Sequence, residues 1–347
     1  MTAPPARFRF RSASSPLHHP SLVLAAGVAL LAALALIAIA SGRYGLTPAE
    51  IVASLRRAVG GRGASRTSDE VLWQIRLPRI VLACVVGAAL GAAGAAFQHL
   101  FRNPLVAPDT LGVSSGAALA AVLAILAGAG ASLVAIAAFG GGLVTVALVI
   151  TLAARIAAHD RMLTLVLIGV VVASLGGAAI SLVKFLADPY NELPAITFWL
   201  MGSLAAATWR QVALVAPAIV ACIALLAALA WRVNLLTLPD DEAQAIGVDV
   251  ARLRAVVIAA ATVATAASVA VCGIVGWVGL VVPHMARLVA GPHFARLLPL
   301  SALLGAIFLL AIDTLARTAT AVEVPPGILT AFIGTPAFLV LLARRTA

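Results

Sequence analysis

The chain has 347 residues, of which 63% are hydrophobic and only 10% are charged. A soluble domain carries about 25% charged residues because water must solvate its surface. Most of the surface of this chain must therefore face lipid. Long runs that are apolar on every side favour helices over the alternating strands of a membrane barrel. The composition predicts an all-α polytopic membrane protein without a separate soluble domain.

The net charge of +10 is also typical of proteins that bind nucleic acid. In this chain the arginines are scattered between apolar runs instead of forming one basic surface, so we interpret them as topology signals and expect no nucleic-acid partner. Cys84, Cys222 and Cys272 lie singly inside apolar segments and are expected to be inert thiols. No pair of histidines has metal-ligand spacing, so no metal site is predicted.

Hydropathy predicts about ten transmembrane helices, each of about 20 apolar residues. The predicted spans are 21–41, 79–99, 109–128, 131–155, 162–186, 210–232, 254–276, 279–291, 297–318 and 326–343. The eighth span is too short to cross the membrane as a straight helix at about 1.5 Å per residue. We therefore expect it to be buried among its neighbours.

The predicted organisation is a cytoplasmic N-terminal tail, residues 1–20, followed by one transmembrane domain, residues 21–347. A small excess of arginine favours a cytoplasmic location for both termini. This orientation makes residues 42–78 a periplasmic loop and residues 234–252 a cytoplasmic segment. The periplasmic loop is itself rich in arginine, which weakens the charge argument and requires a separate explanation.

A short helix is predicted inside the periplasmic loop. Thr47 can cap it, Pro48 suits its first position, and the carboxylate of Glu50 complements the helix N-terminus. The glycine-rich run at 60–63 should end it. A surface connector without a functional role is the alternative interpretation.

The densest acidic cluster of the chain lies between the sixth and seventh spans. Pro239 can open a short helix there, Asp240, Asp241 and Glu242 occupy its first turn, and Gly247 can end it. A rigid helix that projects from the membrane can transmit the movement of a partner. A solvated loop is the alternative. The chain has no phosphate-binding loop motif, so ATP-driven transport would need a separate ATPase subunit.

Asp313 lies inside the ninth span, four residues before Arg317. Residues at this spacing share one helix face, so the two charges can form an intramembrane ion pair. Ionisable residues inside a membrane also mark functional sites such as proton relays. The sequence leaves both interpretations open and favours the structural pair.

Several motifs occur in order along nearly the whole chain after residue 40. They are RLPR at 76–79, Gln98, RNPLVAP at 102–108, LGVSSGA at 111–117, FWLMGS at 198–203, WVGLVVPHMAR at 277–287, AIDTLAR at 311–317 and PPGILTAFIGTPAF at 325–338. Together they resemble the FecCD-type permeases, the membrane subunits of ABC importers for ferric siderophores, haem and cobalamin. Trp277 and Pro326 are small departures from the family pattern.

The resemblance implies about ten helices per subunit in a homodimer with a central path, located in the bacterial inner membrane. It also implies two cytoplasmic ATPase subunits and a periplasmic substrate-binding protein as partners. The chain would be a transporter subunit and no enzyme; ATP and Mg²⁺ would be used by the ATPase, and no cofactor is expected on this chain. The residues matched to ATPase coupling are Pro239, Asp240, Asp241, Glu242, Ala243, Ile246 and Gly247. Those matched to docking of the binding protein are Arg76, Arg79 and Arg317.

The predicted function is therefore ATP-driven import of an iron chelate, haem or a ferric siderophore, along a mostly apolar path. A cobalamin importer of the same family is the alternative. A proton-coupled secondary transporter that uses Asp313 and His284 is less favoured. We find no nucleophile–base or metal-ligand constellation that supports a membrane-embedded enzyme.

Overall fold

The computed structural model describes residues 20–42, 44–59, 67–156 and 161–346. Residues 1–19 of the predicted tail and the glycine run at 60–63 lie outside the described residues. Within the described ranges the chain is helical and contains no strand.

The helices follow one another through short connections. Their bounds are α1 Pro20–Ala40, α2 Pro48–Val59, α3 Thr67–Leu100, α4 Val113–Leu126, α5 Ala131–Arg155, α6 Arg161–Leu186, α7 Glu192–Met201, α8 Trp209–Ala228, α9 Ala230–Leu235, α10 Asp240–Ala245, α11 Val250–Cys272, α12 Val278–Ala290, α13 Phe294–Thr318 and α14 Pro326–Thr346. A 3₁₀ turn, Pro108–Leu111, precedes α4.

Seven of the described helices are long and apolar enough to cross a membrane, judged by length and composition. They are α1, α3, α5, α6, α8, α11 and α13. Three shorter apolar helices, α4, α12 and α14, match the remaining predicted spans. The polytopic helical fold predicted from the sequence is therefore confirmed. The eighth span is short, as expected, and one of its faces is buried, including Pro283 and His284.

The second span begins earlier than predicted. Helix α3 starts at Thr67, so the last part of the predicted loop 42–78 is helical, with a π-type stretch at Val71–Arg76. Hydropathy placed the boundary at 79 because polar and charged residues precede it. Those groups find partners within the protein: Arg57, for example, donates to Asp69 at 2.6 Å. Their polarity therefore does not end the helix.

Helix α2 forms where the sequence predicts it. The Thr47 hydroxyl accepts a hydrogen bond from the Glu50 N–H at 3.3 Å, and the Glu50 carboxylate accepts one from the Thr47 N–H at 2.8 Å. This reciprocal pattern is a capping box, which satisfies two helix N-terminal donors that would otherwise lack partners.

The centre of the bundle is formed by α3 and α11, which are the most buried of the long helices. Helix α3 contacts α13 through glycines: a Cβ atom placed on Gly87 would overlap the Gly305 carbonyl, and the reverse also holds. Hydrocarbon gives no hydrophobic driving force between helices, so small residues that permit close backbone approach stabilise such contacts. Helices α1 and α6 lie outside this core and expose most of their apolar side chains.

Two adjacent glycines on α5 provide a test of this packing. A Cβ on Gly141 would overlap Ala120 and the Gly116 carbonyl on α4, whereas a Cβ on Gly140 would meet nothing within 4 Å. We expect Gly141→Ala to destabilise the protein by about 1–3 kcal/mol through overpacking, and Gly140→Ala to be neutral. Thermal unfolding in detergent measures both. Equal stability of the two variants would contradict the close approach of α4 and α5.

Candidate functional site

Charged side chains gather at both ends of the bundle. We name these ends after their central carboxylates. The Asp313 end contains the connections 187–191 and 319–325, and the Asp240 end contains the connections 101–107 and 236–239. Alternation of the helices places these connections on opposite sides of the bundle.

At the Asp313 end a fully buried carboxylate is bound by an arginine from another helix. Asp313, on α13, has no exposed surface. Its oxygens accept hydrogen bonds from Arg79 Nε at 2.9 and 3.1 Å. Arg79 also donates to both oxygens of Glu323 at 3.1 and 2.9 Å. One guanidinium therefore joins α3, α13 and the connection that leads into α14.

Two further arginines bind the C-terminal end of α1. Arg317 donates to the carbonyl oxygens of Ala38 and Ser41, and Arg76 donates to those of Ile39 and Tyr44. The last carbonyls of a helix have no partner within the helix, and the negative end of its dipole favours a cation. The two guanidinium groups therefore cap α1.

The structure brings the predicted residues of this end together but changes their partners. Arg317 Nε lies 3.7 Å from the nearer Asp313 oxygen, so the two charges are adjacent, while the hydrogen bonds to Asp313 come from Arg79. Arg79 could not be predicted as the partner of Asp313 from local pattern, because 234 residues separate the two. Glu323 was not predicted either, since its only signal is an acidic residue directly before the last span.

The three arginines assigned to docking are mostly buried: Arg76 is 4% exposed, Arg79 6% and Arg317 7%. Arg317 nevertheless lines a recess of about 400 Å³ together with Gly42 and Thr320. This recess leaves room beside Arg317 for an incoming group.

At the Asp240 end, the short helix predicted from the acidic cluster is present as α10. Pro239 occupies the capping position before it. Gly247 follows the helix with a φ of +87°, a backbone conformation that favours glycine. The N–H of Val248 donates to the Ala243 carbonyl and that of Gly247 to the Gln244 carbonyl, which is the Schellman pattern. The segment is therefore a closed, well-defined unit.

Two arginines hold this unit against the bundle. Arg254, on α11, donates two hydrogen bonds of 2.7 Å to the Asp240 carboxylate, which lower the pKa of Asp240 below its ordinary value. Arg102, from the connection between α3 and α4, donates to the Leu236 carbonyl at 2.9 and 2.6 Å. These hydrogen bonds attach the segment to α11 and to the connection that follows α3.

The faces of α10 differ sharply. Ala243 is 1% exposed and packs in the core, whereas Ile246 is 58% exposed. Asp241 and Glu242 are also exposed. The helix therefore presents an acidic and apolar surface away from the bundle.

An apolar cavity of about 720 Å³ lies between α7, the connection of α11 to α12, and α14. Its lining includes Met201, Trp277, Gly327, Phe332 and Pro336. The Trp277 ring packs against Phe338 at 6.2 Å between centroids. Within the described residues no group of three His, Cys, Asp or Glu side chains is arranged to hold a metal ion.

A family model described as the FecCD transport family matches residues 30–344, which is most of the chain. The chain belongs to the FecCD transport family. It is an ABC transporter permease and a multi-pass membrane protein. The match includes both the Arg79–Asp313 network and the α10 segment.

Curated relatives of this permease carry several cargo names. The molybdate import permease MolB of Haemophilus influenzae is 38% identical over 91% of this chain and 93% of that protein. The cobalamin import permease BtuC of Halobacterium salinarum is 44% identical over 82% and 76%, respectively. The hemin transport permease HmuU of Yersinia pestis is 39% identical over 80% and 86%.

A solved structure of an ABC transporter described as of metal-chelate type, in an inward-facing conformation, resembles the permease with a TM-score of 0.84. It is 37% identical and covers 93% of this chain and 99% of that chain. This likeness supports the helical architecture in detail.

The Asp313 network predicts unequal effects of its members on stability. Arg79→Ala leaves a buried carboxylate without its main partner and is expected to cost about 3–5 kcal/mol. Glu323→Ala removes a carboxylate whose side chain is 35% exposed, so the expected cost is below about 1 kcal/mol. Thermal unfolding in detergent compares the two. The paired variant Arg79→Met with Asp313→Leu should recover part of the loss, and failure to do so would argue against the pair.

Proposed function

We propose that this permease carries an iron chelate across the inner membrane by alternating access, driven by a separate ATPase subunit. Two kinds of similarity support an iron chelate: relatives are named for hemin and for iron chelatin transport, and the similar solved transporter is described as of metal-chelate type. Cobalamin import is the alternative within the family, in line with the BtuC relative.

The anchored helix α10 is the observation that carries the proposal. Its outer side is exposed at Asp241 and Glu242, while its inner side is held by Arg254 and by buried Ala243. A surface that is exposed and also hydrogen-bonded to the bundle is suited to bind a moving partner and pass its motion to α11. We assign this surface to an ATPase, which uses ATP and Mg²⁺, and thereby place the Asp240 end and both termini in the cytoplasm.

The functional unit in this proposal contains two copies of the permease, two ATPase subunits and a periplasmic binding protein. Exposed apolar residues on α6 and α14, such as Leu175 and Phe332, leave large faces for lipid and for a second copy. The apolar cavity beside α14 would form part of the central path. Apolar walls in this part of the path would let a bulky chelate pass without tight binding.

The binding protein would dock at the Asp313 end. Arg79 is already bound by Asp313 and Glu323. Arg76 and Arg317 both cap α1, but Arg317 also lines the recess, so we assign to it the carboxylate from the binding protein. Charge-assisted pairs between arginine and carboxylate are directional and favour association.

Substitution at the recess tests this docking assignment. Arg317→Gln should reduce stimulation of ATP hydrolysis by the binding protein, because an incoming carboxylate loses its charged partner. Arg210→Gln removes an exposed arginine at the same end and serves as the matched control. Because Arg317 also caps α1, thermal stability must be measured on both variants. Unchanged stimulation in a stable Arg317→Gln protein would contradict the assignment.

Uptake into proteoliposomes tests the function and the coupling surface together. The reconstituted complex should accumulate ferric chelate with ATP and show no uptake with a pH gradient alone; the opposite result would favour a proton-coupled secondary transporter.

Glu242→Trp should lower the amount transported per ATP hydrolysed, because it changes the surface of α10 while leaving the fold intact.

The control for Glu242→Trp is Glu70→Trp, which changes an exposed first-turn glutamate of α3 at the opposite end. Transport per ATP should stay unchanged in this control. Equal transport per ATP in the two variants would show that α10 is not the coupling surface. Ala243 is less suitable for the test, because a larger side chain at this buried position would displace the helix itself.

A further inference from the structure

The 3₁₀ turn before α4 carries a carboxylate that the proposed function has not used. Asp109 is exposed on the subunit surface, and it accepts a hydrogen bond from the Ser114 hydroxyl. Within the described part of the chain, no basic side chain lies at ion-pair distance from it. Asp313, by contrast, is bound by Arg79.

The turn lies at membrane depth and not at the end of the bundle. A Cβ on Gly169 of α6 would overlap the Thr110 carbonyl, and Gly112 lies against Ala173 of the same helix. Gly169 is the ninth residue of α6, so the turn contacts α6 about 12 Å from its first residue at 1.5 Å per residue. The short length of α4 agrees: its 14 residues span about 20 Å, less than the hydrocarbon thickness of about 30 Å.

One feature of this turn, the side chain of Asp109, requires water at that depth. The backbone around it is not α-helical, since Ala107 is extended and Gly112 is left-handed with a φ of +78°. Both residues are buried in protein, which satisfies the backbone without water. The exposed carboxylate of Asp109 has no such shelter, and an unpaired charge facing lipid is strongly unfavourable.

We propose that Asp109 faces the water-filled translocation path and makes its local potential negative, so that this permease favours neutral or cationic ferric chelates over anionic cargo such as an oxyanion. The inference rests on the proposed function, because it assumes that the wet cavity is the path of the cargo. In a homodimer the two copies of Asp109 act on the same cavity.

A negative potential in the path would exclude anionic cargo, one of the classes for which relatives are named. An oxyanion such as molybdate would meet two carboxylates and be repelled, whereas a ferric chelate with an ammonium group or with no net charge would not. Coulomb interactions are strong in a narrow cavity with low-dielectric walls. Asp109 therefore acts as a specificity-determining residue and not as a binding pocket by itself.

A cysteine reporter measures the potential directly. Ser115, half-buried beside Ser114 and next to Gly176 of α6, is replaced by cysteine in a background carrying Cys84→Ser, Cys222→Ser and Cys272→Ala. Membranes containing the full permease with its ATPase are treated with a trimethylammonium or a sulfonate methanethiosulfonate reagent. With Asp109 present, the cationic reagent should react faster, and Asp109→Asn should lower the cation-to-anion rate ratio by about tenfold.

Glu70→Gln is the matched control, since it removes one exposed carboxylate in the first turn of α3, at the Asp313 end, and should leave the rate ratio unchanged. Absence of reaction with either reagent would overturn the wet cavity, and an unchanged ratio in Asp109→Asn would overturn the role of its charge. ATP-driven uptake of molybdate by the reconstituted wild-type complex, at the rate seen for a cationic ferric hydroxamate, would also overturn the inference.

These results are separable from failure of the proposed function. The proposed function fails when the wild-type complex shows no ATP-driven uptake of any ferric chelate, whatever the labelling shows. The Asp109 inference fails when uptake is present but the reagent preference does not depend on Asp109.

Discussion

The hydrogen-bonded pair of Arg79 and Asp313 is the interaction on which one end of the bundle depends. A carboxylate with no exposed surface is strongly destabilising without a cationic partner, so α3 and α13 must keep Arg79 and Asp313 in contact. The same guanidinium binds Glu323 and thereby fixes the connection into α14. Arg317, one turn along α13, caps α1. One buried carboxylate thus determines how four segments meet.

The Asp240 end uses the same pairing of arginine and carboxylate with a different balance of burial. The side chain of Asp240 is 50% exposed, whereas that of Asp313 is fully buried. A pair that solvent can reach is weaker and exchangeable, while a buried pair holds as long as the fold does. The bundle therefore has a fixed end and an end whose contacts can respond to a partner. This difference matches the roles proposed for docking and coupling.

The sequence was sufficient to predict what depends on local pattern. All ten spans follow from hydropathy, and the limits of α2 and α10 follow from Thr47, Pro239 and Gly247, because caps and left-handed glycines act within a few residues. The partner of Asp313 could not be predicted in the same way. The nearest basic residue in sequence is Arg317, but tertiary packing brings Arg79 closer. The depth of Asp109 was hidden for a related reason: hydropathy placed it at a span boundary, and only the contacts with α6 reveal that the turn is inserted.

Asp109 and Asp313 show why the position of a charge in a membrane protein does not define its role. Both are aspartates at membrane depth, and both require a compensating environment. For Asp313 that environment is supplied by the protein itself, through Arg79 and the nearby Arg317. Its charge is therefore neutralised within the fold and cannot act on a cargo. For Asp109 the described residues supply a hydrogen bond from the Ser114 hydroxyl and no ion pair. In our proposal water in the cavity supplies the rest, which leaves the charge available to select the cargo.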